Sequence, residues 1–310
     1  MQRPIFLYKA DPVRGAEWAS WFALKAPQLE FRQWPLEDGH QRVRYLAAWQ
    51  PPTDLSIFPK LDLIFSVGAG IDQFDFSTLP PALPVLRMVE PGIIGGMVEY
   101  ATLAVLSIHR EWLAYRDQQR AGAWKALRVR PAGSRRIGVL GLGVLAQAVL
   151  AQLRTLSFPC AAWSASQHVI DGIDCYAGSD ALPTFLGRTD ILICLLPLTE
   201  STRAILDRRL FAALPRGAAL INCGRGGHLV QADLLAALDC GQLSTAVLDV
   251  CEPEPLPAGD PLWHHPQVML TPHIASMTQP ETAVDVVLEN IRRHLAGEAL
   301  NGVVERNRGY

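Results

Sequence analysis

The chain has 310 residues, of which 49% are apolar and 19% charged, and its formal net charge is −2. This composition is typical of a compact chain long enough for two domains, and it excludes a disordered one. Because no global positive charge is present, we expect neither nucleic acid nor a membrane surface as a partner.

The sequence shows neither a targeting segment nor a cysteine motif typical of disulfides or metal sites. The first residues lack the apolar core of a signal peptide, and no apolar run approaches the ~20 residues that span a bilayer. The six cysteines are scattered without a C-x-x-C pair, so we expect neither a disulfide framework nor a metal site. The sequence therefore predicts a cytoplasmic protein without a membrane segment.

The first hundred residues alternate short apolar strands with helical stretches. Strands are predicted at residues 4–8, 43–49, 61–67 and 85–89, and a helix at residues 15–25. This alternation predicts a parallel sheet covered by helices.

A second alternating series follows a proline- and glycine-rich cluster at residues 91–96 and a long helical stretch at residues 97–121. Its strands are predicted at residues 137–140, 159–163, 190–195, 218–222, 245–250 and 268–271, and its helices at residues 144–155, near 207, 232–238 and 281–295. The fold class is therefore α/β, with two doubly wound parallel-sheet domains.

A glycine loop joins the strand at residues 137–140 to the helix at residues 144–155. Its sequence, Gly141-Leu142-Gly143-Val144-Leu145-Ala146, is G-x-G-x-x-A, the dinucleotide fingerprint with its allowed alanine. Gly141 permits a tight turn, Gly143 lets the backbone approach a pyrophosphate, and the N–H groups at the helix start attract the phosphates. The motif is weak alone, but the flanking strand and helix make it a predicted dinucleotide site.

The end of the next strand bears on which dinucleotide binds. The strand predicted at residues 159–163 is followed by Ser164-Ala165-Ser166-Gln167-His168. NAD sites usually place a carboxylate there for the ribose 2′-OH, whereas NADP sites carry neutral or basic groups. The serines, glutamine and histidine could bond a 2′-phosphate, which favours NADP. NAD stays possible because these residues include no arginine to bind that phosphate.

Three segments with reactive side chains each follow a predicted strand, and so fall where doubly wound sheets bind ligands. They contain Arg225, Glu254 and His273. An arginine can clamp a carboxylate through its planar fork, and a histidine can transfer a proton near neutral pH. Taken singly, these could be a surface arginine, a solvated acid and a structural histidine. Together, on strand ends after a dinucleotide loop, they predict a functional site, and their side chains suit the reduction of a 2-oxo acid.

Several motifs also carry a family resemblance, in the family's order and over nearly the whole chain. They are Val67-Gly68-Ala69-Gly70-Ile71-Asp72, the glycine loop, Leu195-Leu196-Pro197-Leu198-Thr199, Asn222-Cys223-Gly224-Arg225-Gly226, Leu248-Asp249-Val250-Cys251-Glu252-Pro253-Glu254-Pro255-Leu256-Pro257, Pro261-Leu262-Trp263-His264-His265-Pro266 and Thr271-Pro272-His273-Ile274-Ala275-Ser276. The sequence resembles the D-isomer-specific 2-hydroxyacid dehydrogenases, most closely their glyoxylate/hydroxypyruvate reductase A branch. Family members often have alanine in place of Gly224 and phenylalanine in place of Cys251.

The resemblance gives each reactive side chain a role. It implies that Arg225 binds the substrate carboxylate and carbonyl, that His273 is the acid/base, and that Glu254 pairs with His273. Glu254 is preferred to Glu252 because it directly precedes Pro-Leu-Pro. The substrate carboxylate is expected to meet backbone N–H groups of the loop formed by Val67, Gly68, Ala69 and Gly70.

Further contacts are expected with the dinucleotide and the substrate. The implied dinucleotide contacts are Gly141, Gly143, Val144, Leu145, Ser164, Ser166, Leu196, Pro197, Cys223 and Asp249, the last of these at the nicotinamide carboxamide. Trp49 and Arg87 lie at predicted strand ends of the first domain and could face the substrate. A buried tryptophan and a surface arginine are the alternatives for these two positions.

The resemblance also implies the domain organisation and partners. Residues 1–97 form a flavodoxin-like substrate domain completed by residues 279–310, and residues 98–278 form a Rossmann dinucleotide-binding domain. A homodimer is expected, with glyoxylate or hydroxypyruvate as substrate. D-lactate or another 2-hydroxy acid stays open, as does a dinucleotide-sensing, corepressor-like protein without turnover.

Overall fold

The computed structural model describes residues 2–306, which form two compact units. The first unit contains residues 2–93 and 277–306, and the second contains residues 94–276. Of the C-terminal segment expected to complete the first domain, residues 307–310 lie outside the described part of the chain.

The first unit contains a five-stranded sheet in which every strand pairing is parallel. Its elements are β1 Ile5–Lys9, α1 Pro12–Lys25, β2 Glu30–Gln33, β3 Val43–Ala48, β4 Leu63–Ser66, β5 Val85–Leu86 and α8 Pro280–Ala296. The strand order β2-β1-β3-β4-β5 is the flavodoxin-like order. The predicted fold class of this domain is therefore confirmed.

Both faces of this sheet are covered by apolar side chains. On one face, Phe6 packs with Phe65 and with Trp18 and Phe22 of α1. The other face includes Val304, and Val303 next to it forms a bridge with Leu86 of β5. The C-terminal segment thus belongs to the core of the first unit.

The second unit contains a seven-stranded sheet that is also parallel throughout. Its strands are β6 Ile137–Leu140, β7 Cys160–Ser164, β8 Asp174–Ala177, β9 Ile191–Cys194, β10 Ala218–Asn222, β11 Leu243–Leu248 and β12 Val268–Leu270. The order β12-β11-β10-β9-β6-β7-β8 reverses direction between β6 and β9, as in the Rossmann fold. The predicted Rossmann architecture is confirmed.

Helices of six to nineteen residues precede or connect these strands. They are α2 Pro91–His109, α3 Trp112–Arg120, α4 Val144–Thr155, α5 Gly178–Gly187, α6 Arg208–Ala213 and α7 Gln231–Asp239. Short 3-10 turns lie at His40–Arg42, Ala132–Ser134, Gly226–His228 and Pro261–Trp263. Two strands and one helix were not predicted from the sequence, namely β2, β8 and α5.

The single helix predicted at residues 97–121 is two helices, α2 and α3. Glu111 separates them in a left-handed conformation, with φ of 57°, which a helix cannot continue through. By length and composition alone, α2 is apolar enough to cross a membrane, so the expectation that no run is long enough was wrong. The core helix of a soluble protein passes the same test.

One buried carboxylate serves the first turns of two helices. The Glu90 side chain accepts hydrogen bonds from the N–H groups of Gly92 and Ile93 at the start of α2. It also accepts bonds from the Gln279 N–H, 3.0 Å away, and from the Thr282 hydroxyl at the start of α8. Because Glu90 is only 1% exposed, these four donors compensate the cost of burying its charge.

Candidate active site

Three neighbouring strands of the second unit carry the predicted catalytic side chains. Strands β10, β11 and β12 lie side by side at one end of the sheet. Arg225 follows β10, Glu254 follows β11 and His273 follows β12. Because parallel strands end at the same edge, the three segments leave the sheet on one side.

His273 and Glu254 form a hydrogen-bonded pair. The distance from His273 Nδ1 to Glu254 Oε2 is 2.8 Å, and both side chains are about one-third exposed. The other carboxylate oxygen of Glu254 accepts the backbone N–H of Cys251 at 3.1 Å. With Nδ1 engaged by Glu254, Nε2 is the nitrogen of His273 that is directed away from its partner and suited to proton transfer.

The turn that carries His273 is strained and is held by Asp249. His273 has a left-handed backbone with φ of 56°, which costs a non-glycine residue about 1 kcal/mol or more. Asp249 Oδ1 accepts bonds from the Thr271 hydroxyl at 2.6 Å and the Ile274 N–H at 2.8 Å, and Oδ2 accepts the Ala275 N–H at 2.8 Å. This carboxylate, 2% exposed, therefore fixes the direction in which the His273 side chain leaves the chain.

The Asp249 network continues into α2. The Tyr100 hydroxyl lies 2.5 Å from the Thr271 hydroxyl, which in turn donates to Asp249. Burial raises the pKa of Tyr100 far above its ordinary value, so its hydroxyl keeps its proton. The chain of bonds thus links the His273 turn to helix α2.

The main chain of Arg225 is bonded on both sides. Its N–H donates to His228 Nδ1 at 3.0 Å, and its carbonyl accepts a bond from Asn222 Nδ2 at 3.1 Å. Gly226, the next residue, touches the loop that carries Glu254, because a Cβ there would lie 2.0 Å from the Cys251 carbonyl oxygen. Only glycine fits at this contact.

The two cysteines near these loops are unreactive thiols. Burial raises the pKa of Cys251 to about 11, and the neighbouring Glu254 carboxylate adds to this. Burial also raises the pKa of Cys223 well above its ordinary value. Both are therefore protonated near neutral pH and unsuited to nucleophilic chemistry. Among residues 2–306, no cluster of His, Cys, Asp and Glu side chains is arranged to hold a metal ion.

The glycine loop lies at the point where the strand order reverses. Gly141 has φ of +105°, and a Cβ there would lie 2.8 Å from the Leu195 carbonyl oxygen at the end of β9. At Gly143, by contrast, no atom of the described chain lies within 4 Å of a Cβ position. The structure thus has a tight turn at the first glycine and an open face at the second.

The start of α4 presents a row of free backbone donors. Within the described chain, no acceptor is found for the N–H groups of Leu142, Gly143, Val144, Leu145 and Ala146. Donors at a helix N-terminus favour an anion, electrostatically and by hydrogen bonding. These residues therefore fit the pyrophosphate of a dinucleotide.

The end of β7 carries hydroxyl and imidazole groups. The hydroxyl of Ser164, a buried residue, donates to the Ser166 carbonyl at 2.7 Å, and the Ser166 hydroxyl lies 3.2 Å from His168 Nε2. Ser166 is exposed and His168 is half-buried. A ligand beyond this strand would therefore meet Ser166 and His168, whereas the Ser164 hydroxyl is already bonded.

In the first unit, the loop after β4 has two free donors. The Val67 N–H donates to the Ala48 carbonyl and the Gly68 N–H to the Ser66 hydroxyl. Of the described residues, none accepts a bond from the N–H groups of Ala69 or Gly70. The donors of this loop that can meet a ligand are therefore those of Ala69 and Gly70.

Trp49 and Arg87 lie at the carboxyl ends of the strands on either side of this loop. Trp49 directly follows β3 and Arg87 directly follows β5. The Trp49 side chain is 41% exposed and lies beside Gly68, where a Cβ would meet its ring at 3.4 Å. Arg87 is half-buried, and its backbone N–H donates to the Gly302 carbonyl at 2.9 Å.

Sequence reasoning missed the residues that hold these loops. Asn222, Ser66 and His228 are all fully buried, and each bonds a loop that carries a predicted site residue. Asn222 and Ser66 are the last residues of apolar strands. A polar residue that closes a buried strand is a signal that could have found both, since buried polar groups require partners.

Comparison with known proteins places this arrangement in a family. Residues 102–275 match the D-isomer specific 2-hydroxyacid dehydrogenase, NAD binding domain. Glyoxylate/hydroxypyruvate reductase A of Yersinia enterocolitica is 39% identical over 301 residues, which cover 95% of this chain and 96% of that protein. The chain belongs to the D-isomer specific 2-hydroxyacid dehydrogenase family.

Solved structures of other 2-hydroxyacid dehydrogenases share the whole fold. A family member from Xanthobacter autotrophicus Py2, in complex with NADPH and MES, has a TM-score of 0.95 and 36% identity over 100% of both chains. The NADPH-dependent glyoxylate/hydroxypyruvate reductase of Sinorhizobium meliloti, in complex with NADP and sulfate, has a TM-score of 0.89 and 34% identity over 100% of both chains. This chain is thus an oxidoreductase of the 2-hydroxyacid dehydrogenase family.

Alanine substitutions at the two loop glycines should have different effects. Gly143→Ala should leave the melting temperature unchanged, because its Cβ meets no protein atom, and should weaken dinucleotide binding at least about tenfold by occupying space beside the phosphates. Gly141→Ala should lower the melting temperature as well, because of its positive φ and the contact with Leu195. Calorimetric titration with NADPH and thermal unfolding measure the two effects, and unchanged NADPH affinity in Gly143→Ala would contradict the assignment.

Proposed function

We propose that the chain reduces small 2-oxo acids, with glyoxylate and hydroxypyruvate as the first candidates, to 2-hydroxy acids at the expense of NADPH. The observation that carries the proposal is the His273–Glu254 pair, held at 2.8 Å on strand ends adjacent to the one that carries Arg225. The names of the Yersinia and Sinorhizobium relatives support the substrate choice.

In this proposal, His273 protonates the carbonyl oxygen of the substrate, and Arg225 binds the substrate carboxylate. When bound, a reduced nicotinamide dinucleotide would supply the hydride that the carbonyl carbon requires. His273 donates the proton from Nε2 to the carbonyl oxygen, and Glu254 holds the ring through Nδ1 so that Nε2 faces the substrate. The Arg225 guanidinium pairs with the substrate carboxylate and polarises its carbonyl.

The first unit is proposed to bind the substrate through the loop after β4. The free N–H groups of Ala69 and Gly70 provide two donors for a carboxylate. Val67 and Gly68 belong to the same proposed loop and support its shape, since their own N–H groups are bonded within the protein. Trp49 and Arg87 are proposed to contact the remainder of the substrate.

The dinucleotide is proposed to lie along the carboxyl ends of β6, β7 and β9 to β11. The proposed contacts are Gly141, Gly143, Val144, Leu145, Ser164, Ser166, Leu196, Pro197, Cys223 and Asp249. The absence of a carboxylate among residues 164–168 at the end of β7 and the NADPH and NADP bound to the relatives support NADP over NAD. We place the protein in a reducing compartment such as the cytoplasm, which its six free thiols support.

The reductase activity has a direct test. Initial rates with glyoxylate, hydroxypyruvate, pyruvate and phenylpyruvate, each with NADPH and NADH, should show turnover of the smaller acids. His273→Ala should lower kcat by about 10²- to 10⁴-fold, because it removes the proton donor. The exposed His264 provides a matched control, and His264→Ala should keep the wild-type rate. If the wild type turned over none of these acids with either cofactor, the proposal would be wrong.

Cofactor choice should depend on the residues after β7. His168→Ala should raise the KM for NADPH by about tenfold through loss of a charge-assisted hydrogen bond to the 2′-phosphate. The KM for NADH, which lacks this phosphate, should stay at the wild-type value and is the internal control. An equal effect on both cofactors would show that His168 does not bind the phosphate.

We also propose a homodimer, formed through an apolar surface of the second unit. The large apolar side chains of Leu103, Trp112, Trp124 and Val129, all in the second unit, are more than 60% exposed, and large exposed apolar side chains are favoured at interfaces. Sedimentation analysis should give twice the chain mass of 34.0 kDa for the wild type. Trp124→Glu should shift the protein toward monomer, because a charge would be buried at the interface. A monomeric wild type would contradict this proposal.

A further inference from the structure

His228 is a fully buried histidine that the proposed reaction does not use. It is the last residue of the 3-10 turn Gly226–His228, which directly follows Arg225, and its exposed fraction is 0%. Its ring is packed against Gly224, where a Cβ would lie 2.8 Å from Nδ1. A titratable ring at such a position must satisfy its nitrogens within the protein.

The partners of the ring decide where its proton lies. Nδ1 accepts the backbone N–H of Arg225 at 3.0 Å, and Nε2 lies 3.2 Å from the Pro197 carbonyl oxygen. A backbone N–H can only donate and a carbonyl can only accept. Nδ1 is therefore unprotonated and Nε2 carries the hydrogen, which makes the ring a neutral imidazole in one fixed tautomer.

The Nδ1 bond completes the support of the Arg225 main chain. The Arg225 carbonyl accepts bonds from Asn222 Nδ2 at 3.1 Å and from the His228 N–H at 3.2 Å. The N–H of Arg225 is held by the ring itself. The N–H and the carbonyl of Arg225 are thus both hydrogen-bonded, and this fixes the direction in which the guanidinium leaves the chain.

The Nε2 bond reaches a different loop. Pro197 belongs to the segment after β9, whereas Arg225 belongs to the segment after β10. The Pro197 carbonyl also accepts the Thr202 hydroxyl at 2.7 Å. The histidine ring therefore links the loop proposed to contact the dinucleotide with the loop proposed to bind the substrate.

We propose that His228 is a positioning residue that aligns Arg225 through Nδ1 and the Pro197 loop through Nε2. This inference rests on the proposed function, in which Arg225 binds the 2-oxo acid and Pro197 contacts the dinucleotide. Loss of the Nδ1 bond should then displace only Arg225, and loss of the Nε2 bond should displace only the Pro197 loop. A group misplaced by about 1 Å loses much of its contribution to binding and catalysis.

Two conservative variants separate the two bonds. In His228→Asn, the side-chain oxygen takes the place of Nδ1 and can accept the Arg225 N–H, but the side chain is too short to reach Pro197. In His228→Gln, the amide nitrogen takes the place of Nε2 and can donate to Pro197, but the Nδ1 acceptor of the Arg225 backbone N–H is lost. His228→Leu removes both bonds.

The two conservative variants should affect substrate binding and dinucleotide binding separately. His228→Gln should raise the KM for glyoxylate about fivefold, the usual effect of one lost hydrogen bond, with the Kd for NADPH unchanged. His228→Asn should raise the Kd for NADPH about fivefold, with the KM for glyoxylate unchanged, and His228→Leu should show both effects. Thr202→Val, which removes the other hydrogen bond to Pro197, is the matched control and should affect only the Kd for NADPH.

Initial rates at saturating NADPH give the KM, titration of the protein with NADPH gives the Kd, and thermal unfolding reports whether each variant is folded. If both conservative variants changed KM and Kd together, or changed neither, the proposal would be wrong. It would also be wrong if neither variant folded, because His228 would then serve the fold alone. An inactive wild type would instead contradict the proposed function, and the NADPH titrations would still test the Nε2 bond.

Discussion

Parallel pairing places the carboxyl ends of neighbouring strands at the same edge of a sheet, and this constraint determines where the reactive side chains of the chain can gather. All strand pairings in both sheets are parallel. Arg225, Glu254 and His273 are therefore delivered to one edge although nearly fifty residues separate the first from the last. In the first unit, Trp49, the loop after β4 and Arg87 follow three neighbouring strands in the same way.

The strand ends become precise through buried polar side chains. Asn222 and Ser66 each close a buried strand, and Asp249 directly follows one. Asn222 and Ser66 bond backbone groups of the loop that comes next, whereas Asp249 bonds those of the turn after the neighbouring strand β12. A buried polar group that loses its partner costs about 1–3 kcal/mol, so these loops have one strongly preferred conformation. The strain in the backbone of His273 is kept because Asp249 supplies three compensating bonds.

The central elements could be read from the sequence because burial leaves a clear pattern. The observed bounds of β6, α4 and β10 equal the predicted ones, since each has an apolar run or stripe with sharp ends. Strands β2 and β8 were missed because both are edge strands with exposed or half-buried residues, which leaves little apolar signal. The helix α5 was missed as well, and it contains Pro183 in its interior.

The site was predictable only in part, for a related reason. Motif and strand-end position indicated which segments carry reactive side chains, and the pairing of His273 with Glu254 rather than Glu252 needed the family resemblance. His228 could not be found in this way, because its role depends on atoms of Arg225 and Pro197 that meet only in the folded chain. Likewise, the sequence could not show that Ala69 and Gly70, rather than Val67 and Gly68, keep their N–H groups free.

The division of the first unit into two stretches of sequence has a consequence for folding during synthesis. Its early stretch leaves the ribosome first, but α8, which packs against α1, and Val304 of its core are made last. The second unit is continuous in sequence and can fold as soon as it has emerged. Domains usually fold in order from the N-terminus. We expect the reverse order here, because the apolar core of the five-stranded sheet stays incomplete until the residues after the second unit have been made. During that interval its exposed apolar side chains would favour aggregation.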